Sequence, residues 1–235
     1  MQVIIGLENG FEGKSIAWTL DHPGCFAYGN DGSEAIIRVP QALIAYKEWI
    51  AAHTTDSWLT DLGDFDVRLA EAFDWYAVGK DFERDPQGMG VNAWFQHDWK
   101  PLTRINIQQG LLLLSWSRAD LMELITPLTN AQLEQKFAGE KNSISGIIRH
   151  IANAEWWLLD RISLAGITRS QLANDTFERL TKNRARVNEI FPTLEGYAEA
   201  RGVDGEFWSV RKVLRRAAWH EKDHIQHIQR LMTLL

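Results

Sequence analysis

From Phe207 to Leu235 the chain contains neither proline nor glycine, the two residues that most readily end a helix. A stretch of that length without a breaker reads as one helix, and Ser209 can cap its start. Within it stands His220-Glu221-Lys222-Asp223-His224. Residues four apart stack on one helical face, so His220 and His224 point the same way, one turn apart. Two neutral imidazoles so placed can hold one divalent metal ion, but two ligands make an incomplete site.

The helix carries its own polarity. Val210, Leu214, Ala217, Ile225, Ile228 and Met232 define an apolar face, with His224 inside it, His220 at its edge and His227 further round. Glu221 lies near the centre of that face. A carboxylate there requires a partner, so Glu221 is a candidate either to support a ligand or to activate metal-bound water as a catalytic acid or base. A zinc-protease reading of His-Glu-Lys-Asp-His fails on the third ligand. The position six beyond His224 is Arg230, and the remaining tail is too short for a downstream glutamate.

A third ligand is available upstream. Leu102 onward has helical spacing: Asn106–Ile125, a short turn capped by Thr129, a helix from Ser143 to about Ala165, and another from Gln171 to about Ala200, interrupted near Pro192 and Gly196. With the last helix this makes an all-α antiparallel four-helix bundle over residues 102–235. On the Ser143 helix, Ile147, Ile151, Ala154, Leu158 and Ile162 form the stripe and His150 sits on its flank. If that helix adjoins the last one, His150 faces the histidine pair. Three histidines with an open position are the usual make-up of a ligand-accepting divalent site. Glu155 can orient a ligand or form an interhelical salt bridge.

These residues resemble the DinB/YfiT-like superfamily of metal-binding four-helix bundles. The likeness rests on Ser143-Ile144-Ser145-Gly146-Ile147-Ile148-Arg149-His150-Ile151-Ala152-Asn153-Ala154-Glu155-Trp156-Trp157 and on His220-Glu221-Lys222-Asp223-His224-Ile225. It implies that His150, His220 and His224 are the metal ligands, with Zn²⁺ or Ni²⁺ as the ion. It further implies a metal-dependent enzyme of small molecules, either a thiol-dependent S-transferase or a hydrolase. His227 stands where such helices commonly carry glutamine.

The first third of the chain is different. Residues 2–7, 14–20 and 25–28 are β-rich, with turn signals at Asn9-Gly10 and Pro23-Gly24. Ser33–Ala52 has helical spacing, which Pro40 should kink or divide. Phe65, Val67, Leu69, Phe73 and Trp75 share one parity, as in a strand. The order β-β-β-α-β describes an α+β module over residues 1–76, followed by a connector at 77–101 rich in charge, breakers and aromatics. The run Ile16-Ala17-Trp18-Thr19-Leu20-Asp21-His22-Pro23-Gly24-Cys25-Phe26-Ala27-Tyr28-Gly29 with Ser33-Glu34-Ala35 is similar to HicB-like domains. Antitoxins of that family usually carry a DNA-binding segment after the domain. None is visible here, so the likeness implies a structural or ligand-sensing descendant.

Charge follows the same division. The net charge is −6, yet residues 1–100 hold 7 Lys and Arg against 16 Asp and Glu, and the rest 18 against 15. Basic residues are dispersed and form no long run, so nucleic-acid binding is not expected. Cys25 is the only cysteine, which excludes an internal disulfide and fits a reducing compartment. The start lacks a basic signal-peptide region, and Leu111–Leu114, the densest apolar run, is far short of a membrane span. The expectation is a cytoplasmic protein with a small-molecule or thiol substrate and scope for homodimerisation. The alternative is a non-catalytic metal-binding or sensing protein whose first module binds a partner.

Overall fold

The computed structural model describes residues 1–56, 58–59 and 62–235. A sheet-rich N-terminal region is followed by a helical C-terminal one. The chain divides into two compact units, residues 1–100 with 200–212 and residues 101–199 with 213–235. No described helix is long and apolar enough to cross a membrane.

In the first unit, β1 (Gln2–Phe11), β2 (Lys14–Thr19) and β3 (Phe26–Gly29) form an antiparallel meander. α1 (Gly32–His53) then crosses over, and β4 (Asp66–Asp74) returns parallel to β1, giving the sheet order β3-β2-β1-β4. A parallel return requires such a crossover, because a tight turn can join only antiparallel neighbours. The expected β-β-β-α-β order is the observed one. The turn signal at Asn9-Gly10 marks instead a register shift, with Gly10 at φ 82°, and the reversal falls at Glu12-Gly13. The Pro23-Gly24 turn is real: Cys25 N–H donates to the His22 carbonyl at 3.0 Å, with Gly24 at φ 82°.

Asp31 caps α1 by accepting from the Glu34 N–H at 2.9 Å, and Ala35, Val39, Leu43, Tyr46 and Ile50 form its buried stripe. Pro40 does not divide this helix, which continues through it. One proline removes a single backbone donor, and the packed stripe on either side outweighs that loss.

Residues 77–100, the expected connector, belong to this unit. β5 (Ala77–Val78) and β6 (Met89–Gly90) pair, and Gln96–Trp99 forms a 3-10 turn. Phe95 is fully buried on Gly6, where a Cβ would lie 2.7 Å from the ring. Buried Glu8 accepts from the Trp18 indole at 3.1 Å and from the Ala93 N–H at 3.3 Å, tying the segment to β1 and β2. The stretch 200–212, expected to be helical at both ends, also joins this unit. It forms the hairpin of β7 (Arg201–Val203) and β8 (Glu206–Trp208), with Asp204 and Gly205 both at positive φ. An Asp-Gly pair favours that two-residue turn, so the signal was present in the chain. Glu206 accepts from the Asn92 and Trp208 side chains, while the fully buried Lys212 donates to the carbonyls of Asn92 and Phe207 at 3.0 and 2.8 Å.

The second unit contains α2 (Arg104–Ile125), the short α3 (Asn130–Glu134), α4 (Ile144–Arg161), α5 (Thr176–Ile190) and α6 (Val210–Met232) from Val213 on. Thr103, Thr129, Ser143 and Asp175 cap α2 to α5 with their side-chain oxygens. α4 ends earlier than expected, at Arg161, where Ser163 takes φ 59°. The helix expected over Gln171 to about Ala200 is shorter still. α5 stops at Ile190, a 3-10 turn over Phe191–Leu194 contains Pro192, and Gly196 stands at φ 73°. Leu121 and Ile125 of α2, Ile144, Ile147, Ile148 and Ile151 of α4, Leu180 of α5 and Ile225, Ile228 and Leu231 of α6 share one apolar core.

Candidate metal centre

Helix α6 begins where Ser209 Oγ accepts from the Lys212 N–H at 3.1 Å, so the expected cap is the actual one. Its buried face runs through Ala218, Glu221, Ile225 and Ile228. This rotation sends Glu221 inward and leaves His220 and His224 half-buried at the rim. On α4, Ile147 and Ile151 face the core and His150 is exposed on the flank.

The three sequence-predicted histidines meet. His150 Nε2 lies 2.9 Å from His220 Nε2, which lies 3.2 Å from His224 Nε2. All three ligand atoms fall within 4.8 Å of one another, and among the described residues they form the group of His, Cys, Asp or Glu atoms gathered this closely. Nitrogens about 2.0–2.1 Å from one ion, at angles between square and tetrahedral, stand about 2.9–3.4 Å apart. The two short separations fall inside that range. Burial first, then the neighbouring imidazoles and Arg216, pushes the His220 pKa well below the ordinary histidine value. Burial, then His150 and His227, brings His224 down to about 3. Both rings are therefore neutral at physiological pH, the state in which imidazole donates a lone pair to a metal. The donor set fits a divalent ion. His224 Nδ1 is buried without a hydrogen-bond partner, so this ring's tautomer is not fixed from behind.

Glu221, the predicted acid–base candidate, is 2% exposed and turns away from the imidazoles. Its Oε1 accepts from Arg118 Nε at 2.6 Å and its Oε2 from Arg184 Nη2 at 2.5 Å. Glu155 accepts from the same pair, from Arg118 Nη2 at 3.1 Å and Arg184 Nε at 2.5 Å. The salt-bridge reading of Glu155 is the one observed. Neither Arg118 nor Arg184 belongs to a site motif, although a signal for each is in the chain. Each occupies a position within an apolar helical stripe, Leu114-Arg118-Leu121 and Leu180-Arg184-Val187, where a cation must find an anion.

The other histidines lie elsewhere. His227 Nε2 is 3.0 Å from Glu140, His97 Nε2 is 2.9 Å from Asp21, and His53 Nδ1 meets the Trp49 carbonyl. Two tryptophans of these helices hold stacked guanidiniums, Arg161 over Trp157 at 5.0 Å and Arg216 over Trp219 at 4.3 Å. Trp208 is a core residue of the first unit.

Residues 113–228 match the family model of the DinB superfamily, a span that takes in all three histidines. The C-terminal part of the chain is therefore similar to that superfamily. No curated protein and no solved structure matches the chain.

Proposed function

We propose that the chain is a DinB-like metal-binding protein in which His150, His220 and His224 hold one divalent ion, Zn²⁺ or Ni²⁺. The observation that carries this is the convergence of one ring nitrogen from each of three histidines, on two helices, within 4.8 Å. The depressed pKa values of His220 and His224 support it. So does the match to a superfamily that is generally metal-binding. Imidazole donors alone do not choose between the two metals. A bound ion would act as a Lewis acid, lowering the pKa of a coordinated water or thiol into the neutral range. In this reading the helical unit is a four-helix bundle built around the site. His220 and His224 present lone pairs from one face of α6, and His150 supplies the third from α4 on the solvent side. The resulting activity is transfer of a thiol to, or hydrolysis of, a small molecule.

The engagement of both Glu221 oxygens by arginines favours a second reading, because it takes up the carboxylate that directly follows a ligand histidine. There the protein binds metal without turnover, the HicB-like module docks a partner, and the chain forms a cytoplasmic homodimer. Water exchange at the metal separates the two. An exchangeable ligand supports the enzyme, and a fully protein-ligated ion supports the sensor.

Elemental analysis after expression in metal-supplemented medium tests the site itself. The wild type should carry about one ion per chain, and His150→Ala and His220→Ala little. Equally low metal in all three proteins would refute the assignment.

A further inference from the structure

Arg118, Glu155, Arg184 and Glu221 come one each from α2, α4, α5 and α6 and close a ring of alternating charge. The ring sums to zero charge, and its side chains are 3–14% exposed. The third nitrogen of each guanidinium is engaged as well. Arg118 Nη1 donates to the Leu180 carbonyl at 3.1 Å, and Arg184 Nη1 donates to that of Leu114.

Stability alone does not account for such a ring. Removing four charges from water costs about as much as their attraction returns, and apolar side chains of similar volume commonly match or exceed it. What apolar packing lacks is direction. The Ile and Leu core of these helices tolerates small rotations and slips, whereas planar guanidinium–carboxylate pairs hold angle and register together. A three-histidine site needs that precision, since its ligand atoms must stay within about 0.5 Å of their places. Glu221 directly follows His220 in α6, and Glu155 lies five residues, about 7.5 Å of helical rise, beyond His150 in α4.

We infer that Glu155 and Glu221, clamped by Arg118 and Arg184, are positioning residues that set the rotation and register of α4 and α6 and thereby bring His150 onto His220 and His224. The inference rests on the metal-binding reading. Neither carboxylate is a catalytic residue, because both spend their oxygens on the arginines.

The test compares the wild type with Glu155→Gln, Glu221→Gln and a quadruple apolar variant, Arg118→Met/Glu155→Leu/Arg184→Met/Glu221→Leu. Zn²⁺ affinity is measured by chelator competition and site geometry by the visible spectrum of the Co²⁺-loaded protein, with circular dichroism reporting the fold. Each glutamine variant should bind Zn²⁺ about tenfold more weakly and show shifted Co²⁺ bands. The quadruple variant should melt cooperatively at or above the wild-type temperature and still bind weakly, a loss that restored stability does not repair. If a folded variant binds Zn²⁺ with wild-type affinity and spectrum, the ring is merely structural and the inference is overturned. Should the quadruple variant not fold, the two near-isosteric glutamine variants decide. A wild type that binds no Zn²⁺ would instead overturn the metal reading, and this inference with it.

Discussion

Arg184 Nη2 and Glu221 Oε2 meet at 2.5 Å inside the helical unit, with side chains 10% and 3% exposed. Burial and the two carboxylates act on Arg184 in opposite senses, and the carboxylates prevail, raising its pKa above the ordinary arginine value. Replacing Arg184 with methionine leaves two buried carboxylates to share Arg118. Chemical denaturation should then show a loss of about 3–5 kcal/mol. Adding Glu221→Leu to the same chain should recover most of it, because the remaining pair is again balanced. Full additivity of the two losses would contradict the ring.

Metal-free protein should be acid-sensitive in a definite window. His220 and His224 are held neutral in the folded chain, well below the unfolded histidine value of 6.5. The unfolded chain therefore binds more protons, and stability is lost as pH falls from about 6.5 toward about 3. Thermal melts in chelator should drop more steeply over the accessible part of that range for the wild type than for His220→Gln/His224→Gln. Parallel curves would show that the two rings titrate normally.

Metal should stabilise as well as bind. With Zn²⁺ free at about a hundred times its dissociation constant, the folded state gains about 2.7 kcal/mol by mass action. The melting temperature of the wild type should rise accordingly, and that of His150→Ala should respond far less.

The histidine pair was readable because helical spacing is a local property, and the long run without breakers left little doubt of the helix. His150 required one further step, the supposition that two helices adjoin. The ring was not readable in the same way. Glu221 needs a partner and Arg118 and Arg184 each stand in an apolar stripe, but they lie 103 and 37 residues away and nothing local pairs them with it. In the first unit, β-rich composition marks the first three strands of the sheet and alternation the fourth, yet two glycine turn signals have different outcomes. Pro23-Gly24 was a turn, while Asn9-Gly10 lies within β1, because pairing with β2 extends past it to Phe11. Asp204-Gly205 falls between two helical patterns and turns a hairpin there.

Lys212 offers a check on the first unit. It is fully buried, 3.4 Å from Glu206 and 4.2 Å over the Trp208 ring. Lys212→Met should destabilise this unit by about 3–5 kcal/mol by leaving Glu206 buried without its cation. Hydrogen exchange should place the loss at the β7–β8 hairpin and at Asn92.

Gly6 tests the seating of Phe95. A methyl group there would meet the ring at 2.7 Å, so Gly6→Ala should cost about 1–3 kcal/mol. Gly6→Ala/Phe95→Leu should recover part of that, and no recovery would locate the strain elsewhere.

The two segments of the first unit, 1–100 and 200–212, enclose residues 101–199 in chain order. In genetic terms the helical part is spliced into its neighbour rather than appended to it. A stop codon after residue 100 would strand Asn92 without Glu206 and Lys212, whereas an internal deletion joining residue 100 to residue 200 would keep those partners in the product. Shuffling of this gene therefore has two junctions to respect, and a fragment that honours only one of them inherits an unfinished module.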